Sequence, residues 1–267
     1  MVKKFLSLLC GLILIASLGG CSQSANTNDK KNIKVGVTPF PHKDIMNVAK
    51  DILAKEGYTV EIVEFNDYVQ PNVALEDGSL DANFFQHVPY LEETNKEKGF
   101  HLTWTVKVHI EPLGLYSNKV TSINDLKDGA EIAIPNDATN EARALRLLEK
   151  FGLIKVNTGE LVTVKDITEN KKNFKFDEID AAQLPRTLVD VDAAVINTNF
   201  AAEANLNPSK DALIIEDKDS PYANVLAVKE GNQDKPYIKA LSDALNSPEV
   251  KQYIVDNLES KGIVPAF

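Results

Sequence analysis

Cysteine is nearly absent: the chain of 267 residues has two, Cys10 and Cys21, and both precede the part that reads as a folded domain. That part therefore has no disulfide, no thiol nucleophile and no cysteine-ligated metal. Long apolar runs are missing too, since the longest, Phe5 to Leu18, is about 14 residues against the roughly 20 that a spanning helix needs. No GxSxG, SxxK, Walker or HExxH pattern and no histidine-rich run occurs, which removes the common signatures of hydrolases, nucleotide-binding enzymes and zinc proteases. Asp81 and Asp192 read as strand-start residues, not as a catalytic carboxylate pair, so no enzyme and no cofactor are expected.

What is present begins with a leader. Met1-Val2-Lys3-Lys4, the apolar run and Leu18-Gly19-Gly20-Cys21 follow the order of a signal peptide over 1–20. Small residues before Cys21 resemble a bacterial lipobox, and a diacylated Cys21 gives the paired acyl chains that stable anchoring requires. Residues 21–32 are polar, without apolar periodicity, and read as a tether. Removing 1–20 takes Lys3 and Lys4 from 29 basic residues, leaving 27 against 39 acidic ones, a formal charge of −12. An excess of this sign excludes nucleic acid as a natural partner.

The remainder is long enough for one large or two medium domains. Ile33 to Val37 and Tyr58 to Phe65 alternate as strands, while Ile45, Val48, Ala49, Ile52 and Leu53 repeat at helical spacing between them. Strand, helix, strand predicts a parallel sheet. Tyr68 to Gly78 reads as a helix feeding a buried strand that opens Leu80-Asp81-Ala82, and an echo follows at Leu184 to Asp190 with Val191-Asp192-Ala193. Gly129 to Pro135 is a strand leading into a helix from about Asn136, capped by Thr139 or Asn140. His109 to Ser117 and Tyr222 to Val228 read as crossovers, and Tyr237 to Leu258 as one amphipathic helix. The fold expected is α/β with two lobes: 33–112 plus 226–267 as lobe 1 and 113–225 as lobe 2, hinged by two strands around a ligand cleft.

Candidate ligand residues gather at strand ends. Asn83-Phe84-Phe85-Gln86-His87-Val88-Pro89-Tyr90 puts three aromatics, an imidazole and an amide beside a buried strand, and alternation sends only one of Phe84 and Phe85 to each face. Arg143 offers paired donors for a carboxylate near a helix start, or else pairs with Glu141 or Asp137 on the surface. Asn197, Asn199 and Asn224 place amides at the ends of apolar stretches, where they need partners if buried.

FNDYVQPN, DANFFQHVPYL, EPLGLYS, IPND with NEARAL, AAVINTNFA and EDKDSPYANVLAV occur here in one order. Together they resemble the methionine-binding lipoproteins of the NlpA/MetQ type, the solute-binding components of ABC importers, over essentially the whole mature chain. The resemblance implies a bilobed, type II periplasmic-binding-protein-like fold that closes on methionine, acting as a lipid-anchored monomer beside a permease and its ATPase. It implies that Tyr68, Phe85, His87 and Tyr90 wall the thioether, Arg143 clamps the α-carboxylate, and Asn197 and Asn224 hold the amino-acid backbone. Glu111 is a candidate for the ligand ammonium, Asn199 an alternative to Asn197, and Tyr116 belongs either to the wall or to the hinge core. A metal site from His42, His87, His101 and His109 with Glu111 is the rival reading of a different class; another apolar amino acid or a methionine-containing dipeptide is the nearer one.

Overall fold

The computed structural model describes residues 30–267; the expected signal peptide, Cys21 and the tether up to residue 29 lie outside them. β1 (Asn32–Val37) leads to α1 (Asp44–Lys55), β2 (Thr59–Glu64), α2 (Gln70–Glu76) and β3 (Ala82–His87). β2 and β3 both run parallel to β1, as strand–helix–strand succession requires. After α3 (Val88–Lys98) and β4 (Leu102–Ile110) the chain crosses at 111–113 to a second sheet.

That second passage comprises β5 (Gly114–Tyr116), β6 (Glu131–Pro135), α4 (Ala138–Lys150), β7 (Lys155–Val156), β8 (Ile167–Glu169), β9 (Lys175–Ile179), α5 (Leu184–Thr187), β10 (Ala193–Ile196), α6 (Thr198–Glu203), α7 (Pro208–Asp211) and β11 (Ile214–Ile215). Between residues 215 and 223 it returns to β12 (Ala223–Lys229), α8 (Pro236–Leu245), α9 (Pro248–Asn257) and β13 (Val264–Pro265).

The sheets are ordered β13-β4-β12-β3-β1-β2 and β11-β5-β10-β6-β9. Each holds three parallel strands, β2-β1-β3 or β9-β6-β10, flanked by one antiparallel strand that follows a crossing, β12 or β5. Each also has its own apolar core, one around Val35, Ile45, Leu53, Phe84 and Leu241, the other around Leu115, Ile132, Leu145, Leu148 and Val195. This is the two-lobed α/β architecture expected.

The Asp-Ala echo is repeated in three dimensions. Asp81 accepts from the Lys34 amide at 2.8 Å, Asp192 from the Glu131 amide at 2.9 Å, and each lies beside a lysine, Lys30 or Lys119. A carboxylate at the start of the third parallel strand thus satisfies a backbone donor on the first strand of both sheets.

Two local expectations are corrected. The C-terminal segment forms α8 and α9, not one helix: Pro248 has no amide hydrogen to continue α8, and the Ser247 hydroxyl accepts from the Val250 amide to start α9. The cap of α4 is Asp137, whose carboxylate accepts from the Asn140 amide at 3.0 Å, in place of Thr139 or Asn140. Arg143 accordingly sits on the second turn of α4, beyond the free amides of its start.

Candidate functional site

β3 runs on through Gln86 and His87, so the aromatic segment is the buried end of a strand. Alternation divides the phenylalanines: Phe84 enters the first core, whereas Phe85 faces a cavity between the sheets. β12 pairs Asn224 with His87 of β3 on one side and with His109 of β4 on the other. One row across three strands therefore carries an imidazole, an amide and a second imidazole.

The cavity holds about 370 Å³ of atom-free space, the open solvent at its mouth included. The first sheet and its helices contribute Tyr68, Phe85, Gln86, His87, Tyr90 and, on β12, Asn224; the second sheet and its helices contribute Asn140, Arg143, Asn197, Thr198 and Asn199; Glu111 and Leu113 come from the crossing. All nine ligand candidates named from the sequence line it. Tyr116 does not; it is buried in the core of the second sheet.

Tyr68, Phe85 and Tyr90 form a ring cluster with centroids 5.8 to 6.0 Å apart, and Phe200 lies 4.9 Å from Tyr68. The Tyr68 hydroxyl donates to Asn199 Oδ1 at 2.5 Å, and the Tyr90 hydroxyl to the Tyr68 carbonyl at 2.9 Å. The first of these bonds joins the lobes. Behind the wall, Asn72, Asn83 and Gln86 exchange amide hydrogen bonds of 2.6 to 2.9 Å, which tie α2 to β3.

Arg143 is 4% exposed. Its Nε and Nη2 donate to Glu216 at 2.9 and 2.5 Å, Nη2 also to the Glu111 carbonyl at 2.7 Å, and its Cζ lies 4.3 Å above the Tyr222 ring. The partner is Glu216, neither Glu141 nor Asp137. Burial opposes the charge, yet Glu216, Tyr222 and Glu111 together hold the guanidinium above its ordinary pKa. Nη1 has no hydrogen bond among the described residues, so a cation lining the cavity keeps one pair of donors.

Asn197 and Asn199 both line the cavity, at the turn where β10 ends at Ile196 and α6 begins at Thr198. Asn197 occupies the N-cap position of α6 without capping it. Its Nδ2 donates instead to Asn140 Oδ1 at 3.0 Å, leaving Oδ1 buried without a partner, while Asn199 leaves Nδ2 in the same condition. One acceptor and one donor are thus unmatched, and unpaired buried groups of this kind are uncommon in native proteins.

His87 Nδ1 accepts from the Tyr90 amide at 3.2 Å, which places its proton on Nε2, 3.2 Å from Asn140 Oδ1. Burial, reinforced by the Arg143 charge, lowers its pKa to about 3, so the ring is neutral. Asn140 thereby meets both lobes. Sequence reading gave it only a capping role; the spacing Asp137-x-x-Asn140 is the local signal that it is held by its neighbour.

Glu111 Oε1 lies 2.7 Å from His109 Nε2 and 3.2 Å from His42 Nε2, and His42 Nε2 is 3.1 Å from Asn224 Oδ1. Burial raises the Glu111 carboxyl and lowers His42 to about 4 and His109 to about 3. Of the rival metal set, His42, His109 and Glu111 converge, with donor atoms within 4.8 Å of one another. A tetrahedral ion would hold donors roughly 3.3 Å apart, wider than the 2.7 Å contact here. His87 bonds to Asn140 instead, and the His101 side chain is 71% exposed. His109 Nδ1 is left buried without a partner, and Glu111 also reaches the cavity.

Comparison with known proteins gives a consistent result. The model of the NlpA lipoprotein family matches residues 33–267. The D-methionine-binding lipoprotein MetQ of Escherichia coli K12 is 43% identical over 257 residues, covering 94% of both chains. Its counterpart in Salmonella typhimurium is 46% identical over 245 residues, 90% of this chain and 89% of that one. Among solved structures, a nutrient binding protein from Burkholderia cenocepacia bound to methionine is 48% identical with a TM-score of 0.85, covering 88% of this chain and all of that one.

Proposed function

The chain belongs to the NlpA lipoprotein family, and from that premise we propose that it captures methionine in the interlobe cavity and delivers it to an ABC importer. The observation that carries the reading is one buried cavity with an aromatic wall, a cation, an unmatched acceptor and an unmatched donor. A zwitterionic amino acid with an apolar, polarizable side chain supplies the complement of each. Relatives named for methionine and a neighbour solved with methionine support it.

In this reading Arg143 Nη1 receives the α-carboxylate, assisted by the Asn199 Nδ2 and Asn224 amides. Asn197 Oδ1 and the Glu111 carboxylate receive the ammonium. Tyr68, Phe85, His87 and Tyr90 enclose the thioether, where each sulfur–ring contact contributes about 0.3–1.5 kcal/mol. The family is one of solute-binding lipoproteins, not of enzymes, and no turnover of the ligand is proposed. Among the described residues no helix is long and apolar enough to cross a membrane. The anchor in this reading is a lipidated Cys21 on the extracytoplasmic face, which raises the local concentration of the binding lobes beside the permease.

Mass spectrometry of the small molecule released on unfolding freshly purified mature protein tests the proposal. Methionine is the expected species, and chiral separation assigns its hand. A different amino acid or a dipeptide released in stoichiometric amount would replace it.

A further inference from the structure

Which end of an asparagine side chain faces a ligand is decided by what holds the other end, because the two ends have nearly the same shape and opposite hydrogen-bonding character. For Asn197 that hold starts outside the cavity, at the cap of α4. Asp137 accepts from the Asn140 amide and from the Thr139 hydroxyl, each at 3.0 Å, and both of its oxygens accept from Asn140 Nδ2 at 3.0 Å. An ionised carboxylate only accepts, so Asn140 must turn its Nδ2 towards Asp137 and its Oδ1 away.

That Oδ1 lies between two donors, Asn197 Nδ2 at 3.0 Å and His87 Nε2 at 3.2 Å. His87 cannot offer its other nitrogen, since Nδ1 is occupied by the Tyr90 amide. Asn197 in turn points its Nδ2 at Asn140 and gives it one hydrogen, and so its Oδ1 is left unpaired at the cavity. Every link is forced by the one before it, and the sequence of donors and acceptors has one starting point.

We infer that Asp137 is a positioning residue for specificity: acting through Asn140, it turns the Asn197 carbonyl into the cavity and makes the site prefer a ligand with a protonated α-amino group over one with a hydroxyl there. Asp137 itself lines other surface clefts but not this cavity. The inference rests on the methionine reading and deepens it, since that reading names the groups that meet the ligand but not what sets their polarity.

The test is the ratio of two affinities, for L-methionine and for its hydroxy analogue 2-hydroxy-4-(methylthio)butanoate, measured by calorimetry in the unaltered protein and in Asp137→Asn. Asparagine caps helices about as well as aspartate, so α4 keeps its start. Its side-chain Nδ2 now faces Asn140 Nδ2 in place of a carboxylate oxygen, however, so Asn140 is no longer held with its Oδ1 towards Asn197, and the Asn197 carbonyl is no longer fixed towards the ligand. The preference for methionine over the hydroxy analogue is expected to fall roughly ten- to a hundredfold, the value of one hydrogen bond to a charged group.

If Asp137 only supports the helix, both affinities fall together or neither changes, and the inference is overturned. Should Asp137→Asn not fold, Asn140→Ala breaks the same chain one link later and is read by the same ratio. Absence of methionine binding by the unaltered protein would contradict the proposed function and this inference with it, whereas a normal affinity with an unchanged ratio in the variants contradicts the inference alone.

Discussion

At the scale of single residues, Arg143 has two tasks that one substitution cannot separate. It lines the cavity and it neutralises Glu216, whose side chain is only 14% exposed. Arg143→Ala should weaken methionine binding by about 2–5 kcal/mol and also lower stability, because it leaves a mostly buried carboxylate unpaired. Adding Glu216→Gln should recover the stability and not the affinity. Urea unfolding and calorimetry on both variants check this; recovery of affinity in the double variant would remove Arg143 from the binding site.

The buried histidines give a second residue-scale expectation. His109 has a pKa of about 3 in the fold against an ordinary 6.5. Below pH 6.5 the unfolded chain therefore takes up a proton that the folded one refuses, so this contribution is complete above that pH and is lost as the pH falls towards 3. Glu141, which burial raises to about 7, acts with the opposite sign, so the comparison must be between variants. The stability advantage of the unaltered protein over His109→Gln should shrink between about pH 7 and about pH 4. Parallel stability curves would mean that His109 titrates normally.

Much of the cavity wall was legible because aromatic, cationic and amide residues stood at strand ends, where open α/β sheets place ligands. Glu216 was not legible: it lies 73 residues from Arg143, in a stretch with no pattern that marks it. Asn140 was misjudged for the opposite reason, since its neighbours invited a local capping role. Asn199 was set against Asn197 as an alternative, whereas both line the cavity at the turn from β10 into α6.

At the scale of elements, periodicity gave the strands and most helices, since apolar spacing at two or at three to four residues reports the buried face directly. Breaks were harder: Asn246-Ser247-Pro248 interrupts an apolar stripe that continues in phase, and only the cap chemistry reveals two helices. Packing between elements was not legible at all, and Gly36 on β1 illustrates it. A Cβ there would lie 2.6 Å from Leu80 Cδ1 and 3.0 Å from Phe65 Cε2. Gly36→Ala should therefore destabilise by about 1–3 kcal/mol through overpacking, read from urea unfolding, with methionine affinity unchanged because Gly36, Leu80 and Phe65 do not line the cavity. Stability equal to that of the unaltered protein would show that Leu80 and Phe65 yield freely.

At the scale of the whole molecule, the two lobes meet through the site itself. Tyr68 bonds to Asn199, His87 to Asn140, and Thr198 to the Pro112 carbonyl in the crossing. The contacts between the lobes and the proposed ligand contacts thus lie side by side, and a ligand that pairs with Asn197 Oδ1, Asn199 Nδ2 and Arg143 Nη1 as proposed would also favour this arrangement of the lobes. An acidic chain with the anchor proposed at Cys21 would suit the proposed role beside a permease. The most direct measurement is a calorimetric titration of mature protein, stripped of ligand by partial unfolding and refolded, with L-methionine and D-methionine. Saturable binding of one methionine per chain by at least one of the two is the expected result; no heat from either, together with no displacement of a bound ligand, would contradict it.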